Sequence, residues 1–123
     1  MKLMLSIKPK FVQAIFEGTK KYEFRTREPQ KNVEEIIIYE TAPESKVVGS
    51  FKVKDVHVGT PQEISKLTRG FTGLTGKEYW EYYQGKDKAV AFEIGELVRF
   101  DKPKSLSDYG VKAAPQSYVY LRE

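Results

Sequence analysis

The chain has 123 residues, no cysteine, and 21 Lys and Arg against 17 Asp and Glu, a formal charge of +4. This length fits one domain, 1–123, and a 40% apolar content that includes eight tyrosines, seven phenylalanines and one tryptophan suffices for a core without covalent staples. Disulfides, thiolate metal sites and a cysteine nucleophile are excluded, no run approaches the ~18 apolar residues of a membrane span, and the mild basic excess permits a nucleic-acid partner without requiring one.

Lys2 to Ile7 reads as a first strand with Leu3, Leu5 and Ile7 in one phase. Met1 to Ile7 is too short for a secretory signal core and lacks a small-residue cleavage site, so a cytoplasmic location is expected. Pro9 suits a first helical turn, and Phe11, Val12, Ile15 and Phe16 form one helical stripe ending at Gly18. A second strand, about Lys20 to Arg27, follows, with Tyr22 and Phe24 in the inward phase and Lys21, Glu23, Arg25 and Arg27 in the other. Pro29 to Asn32 is turn material. Glu34 to Thr41 is a buried strand centred on Ile36-Ile37-Ile38.

Val47 to Val58 is a long strand whose apolar phase slips near Lys54-Asp55, which a β-bulge would repair. Thr60-Pro61-Gln62-Glu63 caps a helix running to about Thr68, and Thr75 with Glu78 caps another through Tyr79, Trp80, Tyr82 and Tyr83 to Gly85. Between them, Gly70, Gly73 and Gly76 are too widely spaced for a nucleotide loop and read as a surface loop, one placed where it could gate a cleft. Lys88 to Phe100 is a long strand, Ser105 to Tyr109 one helical turn closed by Gly110, and Gln116 to Arg122 a last strand. Strands do not alternate regularly with long helices. The expected class is therefore α+β, a small mixed β-barrel with two or three peripheral helices.

Several residue types invite a functional reading beside a structural one. Lys20 and Glu23 could form a proton-transfer pair or a surface salt bridge; strand alternation alone puts them on opposite faces, so they meet only if Lys20 lies in the turn before the strand. Arg25 and Arg27 suit bidentate phosphate contacts, and Lys21, Lys52 and Lys54 would extend such a surface or merely solvate a sheet face. The aromatics at 79–83 are a base-stacking platform or a packed helix. His57 is the only histidine and reads as structural or surface; no metal site is expected.

The run Gly18-x-Lys20-x-x-Glu23-x-Arg25 matches the Gly-x-Lys-x-x-Glu-x-Arg signature of the ASCH domain, a family of the PUA-like superfamily. Leu5-Ser6-Ile7-Lys8-Pro9 resembles the family's opening strand and helix entry, and Ala114-Pro115-Gln116-Ser117-Tyr118 its closing strand, so the resemblance spans essentially the whole chain. It implies a PUA-like barrel with a cleft beside the first helix. Lys20, Glu23 and Arg25 would line that cleft, with Gln116, Ser117 and Tyr118 as neighbours, and Arg27 joins the ligand-binding candidates on its phosphate chemistry. The implied function is binding of RNA or a nucleotide-like small molecule by a monomer, with no cofactor. The resemblance also implies an alternative: a small metal-independent hydrolase acting on RNA or on an N4-acylcytidine-like nucleoside, with Lys20 and Glu23 catalytic. In the deacylating branch of the family a threonine stands at the position of Glu23 and a further glutamate comes from a later helical region, to which Glu78 or Glu81 would correspond.

Overall fold

The computed structural model describes residues 1–30 and 32–121. In chain order the elements are β1 (Lys2–Ile7), α1 (Pro9–Glu17), β2 (Tyr22–Arg25), β3 (Glu35–Glu40), β4 (Lys46–Gly59), α2 (Pro61–Thr68), α3 (Gly76–Tyr82), β5 (Ala89–Lys104), a 3₁₀ turn (Leu106–Tyr109) and β6 (Tyr118–Leu121). The strands form one mixed sheet in the order β2-β5-β4-β3-β1-β6, curled into a half-barrel. β1 and β3 run parallel, and the other neighbours pair antiparallel. This is the α+β architecture expected from the pattern of elements, and it agrees with the PUA-like barrel that the resemblance implies.

Local chemistry explains most boundaries. Gly18 ends α1 at φ +86°, where its amide reaches the carbonyls of Ala14 and Ile15; a left-handed residue at this position is most easily a glycine. Thr60 with Glu63, and Thr75 with Glu78, each form a reciprocal capping box. The β4–β5 ladder changes register at Val53/Asp55, where the apolar phase of β4 slips. Val53 and Val56 thereby pack against the same core, while Val58 is left exposed. The second and last strands are shorter than their patterns suggest, β5 extends four residues further, and Arg122 lies outside the described residues.

Three apolar clusters hold the fold. Leu3, Leu5, Ile7, Ile36, Ile38, Phe51, Val90 and Phe92 line the concave side of the sheet, and Val12 and Ile15 of α1 fill it. On the other side α2 and α3 bring Ile64, Tyr79 and Tyr83 onto Phe24, Ala89 and Ala91. Met4, Ile37, Tyr39, Val47 and Leu121 form the third cluster. The Ile36-Ile37-Ile38 run is buried throughout because its strand is covered on both faces. Each fully buried Leu, Ile, Val or Phe stabilises by roughly 1.5–3 kcal/mol. Among the described residues no helix is long and apolar enough to cross a membrane.

Candidate functional site

The chain leaves α1 through a tight turn in which the amides of Gly18, Thr19 and Lys20 all reach the carbonyl of Ala14. Lys20 therefore stands before β2 rather than in it, and its side chain swings to the side that Glu23 faces. Nζ of Lys20 lies 3.4 Å from Oε1 of Glu23, and Oε2 of Glu23 lies 3.1 Å from Nη2 of Arg25. The same Nη2 donates to the carbonyl of Ser6 at 3.0 Å. That bond crosses from the β2 edge of the sheet to its other margin, β1 beside β6.

The pairing register shows which way the charges point, and it corrects the picture of a mixed-charge outer face. Glu23 and Arg25 lie opposite Phe92 and Val90, which belong to the concave core, whereas Phe24 lies opposite Ala91 beneath α2 and α3. Directly opposed residues of antiparallel strands project to one face. The acid and its bases thus look into the half-barrel, with Lys20 2% and Glu23 5% exposed. Two cations around one carboxylate are tolerable there because each is answered within hydrogen-bonding reach.

The glycine loop is the roof of this pocket. The carbonyl of Thr72 accepts from Nζ of Lys20 at 2.8 Å, and that of Phe71 from the amide of Lys21. Gly73, at φ +71°, lies so close that an added Cβ would meet Cβ of Lys20 at 2.6 Å. The rings of Phe11 and Phe24 face the ammonium, with centroids at 5.4 and 4.7 Å. Burial pushes the Lys20 amine below its usual pKa, and Glu23 only partly offsets this. Phe11, Lys20, Glu23, Phe24, Arg25, Leu74 and Tyr82 line a half-open pocket of about 70 Å³. Among the described residues, the buried side-chain polar atom left without a partner is Nε of Arg25.

The remaining candidates distribute around this pocket. Ser117 does not line it; its carbonyl accepts from the amide of Ser6 at 3.4 Å, and the carbonyl of Ser6 in turn holds Arg25. Tyr118 and Arg27 line a separate hollow. Tyr79 and Tyr83 are buried, while Trp80 and Tyr82 are 44% and 40% exposed. The Tyr82 hydroxyl donates to the carbonyl of Phe24. Of the two helical acids, Glu78 binds Lys10 and the Thr75 amide, which hold its pKa down to about 2, and its charge is also felt by Lys20. Glu81 pairs with Lys77 on the surface. Lys52 and Lys54 pair with Glu96 and Glu93, and His57 bonds Glu93 at 2.8 Å on the far face of the sheet. Sequence reasoning missed Ser6, Phe11 and Thr72 as parts of the pocket. The Gly70-to-Gly76 spacing was the one visible sign of a chain forced close to another segment.

The ASCH domain model matches residues 5–101. The chain is 31% identical, over 98% of its length and 84% of the other protein, to an ASCH domain-containing ribonuclease of Zymomonas mobilis. It is 33% identical to part of the large ribosomal subunit protein uL22 of Ureaplasma parvum, of whose length it spans 39%. The crystal structure of ASCH from Zymomonas mobilis superposes with a TM-score of 0.88 at 28% identity, over 99% of this chain and 88% of that one.

Proposed function

The chain belongs to the ASCH domain family, and from that premise we propose that it binds RNA at the Lys20 cleft and cleaves it there. The observation that carries this reading is a lysine 2% exposed and held 3.4 Å from a buried carboxylate, with an arginine on the other side of that carboxylate. A surface salt bridge does not explain it. Desolvating an ammonium costs several kcal/mol, which stability alone gives no reason to retain. The ribonuclease relative supports RNA as the substrate class.

The groups suit transesterification at an RNA phosphate. Glu23 takes the proton of the 2′-hydroxyl as its oxygen attacks phosphorus. The bond from phosphorus to the 5′-oxygen breaks, and the Lys20 ammonium gives that oxygen a proton. The products are a 2′,3′-cyclic phosphate and a 5′-hydroxyl. A depressed pKa makes Lys20 the better acid, and Arg25 stabilises the charge gathering on the phosphate oxygens. The proton on Glu23 then returns to Lys20 across their contact.

Incubation of a fluorescent single-stranded RNA, and of the matching DNA, with wild type, Lys20→Ala and Glu23→Gln tests this. The wild type should cut RNA to cyclic phosphate ends and leave DNA, which lacks the 2′-hydroxyl. Each variant should lose about 10²–10⁴-fold in rate. Turnover that survives Lys20→Ala removes Lys20 from the mechanism.

A further inference from the structure

The pocket at Lys20 is too small to hold a whole nucleotide. Its volume of about 70 Å³ is a little over two waters' share of liquid, at about 30 Å³ each, whereas small-molecule sites commonly span roughly 300–1,000 Å³. The reacting oxygens can meet Lys20 and Glu23 at its mouth, while a ribose and base do not fit inside. The rest of the ligand must lie outside. β2 leads directly to a place for it, because Thr26 and Arg27, the residues after Arg25, line an open hollow of about 420 Å³ together with Gln30, Lys88 and Tyr118. Comparable hollows beside α1, at Glu40 and Arg99, and beside β6, at Tyr109 and Val119, are lined by no residue adjoining Arg25 in the chain.

We propose that this hollow is the subsite for the nucleotide flanking the reacting phosphate, so that the substrate is a polynucleotide strand rather than a free nucleoside. The inference rests on the RNA reading of the Lys20 cleft and names its substrate class. Arg27 is exposed and, among the described residues, engaged in no ion pair or hydrogen bond, so its guanidinium is available to a phosphate. Lys88 already holds Glu28, the acid of the hollow, at 3.4 Å, so that carboxylate does not oppose an anion unscreened. Tyr118 is half-buried against the core and braced edge-on by Tyr120 at 5.7 Å, a rigid ring on which a base can stack. The loop below is tied to β6 by the Gln30 amide donating to the Tyr120 hydroxyl at 2.9 Å. Arg25 lines the pocket with Nη2 fixed on Glu23 and Ser6, and the two residues that follow it in the chain line the hollow.

The experiment measures anisotropy of fluorescent 2′-O-methyl hexauridylate, which has no 2′-hydroxyl to attack and stays intact, against salt for wild type, Arg27→Ala and, as an equal loss of charge elsewhere, Lys52→Ala. In parallel the same proteins are assayed on unmodified hexauridylate RNA and on free N4-acetylcytidine. Arg27→Ala should weaken binding at every salt concentration, lower the slope of log affinity against log salt by about 0.7 and raise KM on the RNA, while Lys52→Ala matches wild type. Equal effects of the two substitutions, with RNA cleavage still dependent on Lys20, would overturn the subsite and leave the cleft reading standing. Turnover of the free nucleoside by wild type and Arg27→Ala alike would overturn the polynucleotide assignment. A wild type that neither binds nor cuts RNA would fail the underlying reading itself.

Discussion

An ammonium that is 2% exposed needs its charge answered at close range, and Lys20 finds a carboxylate at 3.4 Å and a carbonyl at 2.8 Å. Burial still dominates and lowers its pKa. The unfolded chain, where lysine titrates near about 10.4, then binds more protons than the folded one between the two values. Stability accordingly rises with pH across that window, and the penalty is fully present below the folded value. Replacing Lys20 by Met removes the buried charge and leaves Glu23 paired with Arg25 at 3.1 Å. Lys20→Met is therefore expected to stabilise the fold by about 1–4 kcal/mol at pH 7 while abolishing cleavage. Its advantage should shrink as pH approaches 10. Thermal melts of both proteins from pH 6 to 10 measure this; a variant less stable than wild type at pH 7 would mean that the ion pairs outweigh desolvation.

The loop between α2 and α3 does at the level of an element what no residue of β2 does alone. It lays Thr72 and Gly73 over Lys20, and two capping boxes hold its flanking helices. Gly73→Ala would place a methyl group 2.6 Å from Cβ of Lys20 at a backbone angle of +71°. Both effects are unfavourable, so a loss of more than about 1 kcal/mol is expected from urea unfolding, with a fall in RNA cleavage because Lys20 is displaced. Gly18→Ala is the control. It carries a similar strain at +86° but has nothing within 4 Å of the new carbon, so it should cost about 1 kcal/mol and leave Lys20 in place.

Across the whole molecule, the half-barrel depends on what closes its margins. β6 pairs with β1 alone, yet Leu121 enters one core cluster while Tyr118 and Tyr120 pack on another. The ASCH match ends at residue 101, before the 3₁₀ turn and β6. Ending the chain at Gln116 should cost at least about 3 kcal/mol in lost apolar burial and bare the β1 edge for pairing with another copy. A lower denaturation midpoint together with a dimer in sedimentation would show both effects; an unchanged midpoint would show that β6 is dispensable.

Local chemistry sufficed for much of this protein. The Gly18 stop, both capping boxes, the isoleucine strand and the phase slip of β4 each follow from neighbouring residues, and all appear in the structure. The Lys20, Glu23 and Arg25 spacing was equally plain as a pattern. Its orientation was not, because alternation says that two faces exist and not which one the rest of the chain covers. That choice came from contacts far apart in sequence: Thr72 on Lys20, 52 residues away, and Ser6 on Arg25, 19 residues away. Burial is a relation between distant segments, and burial is what separates a proton-transfer lysine from a surface one.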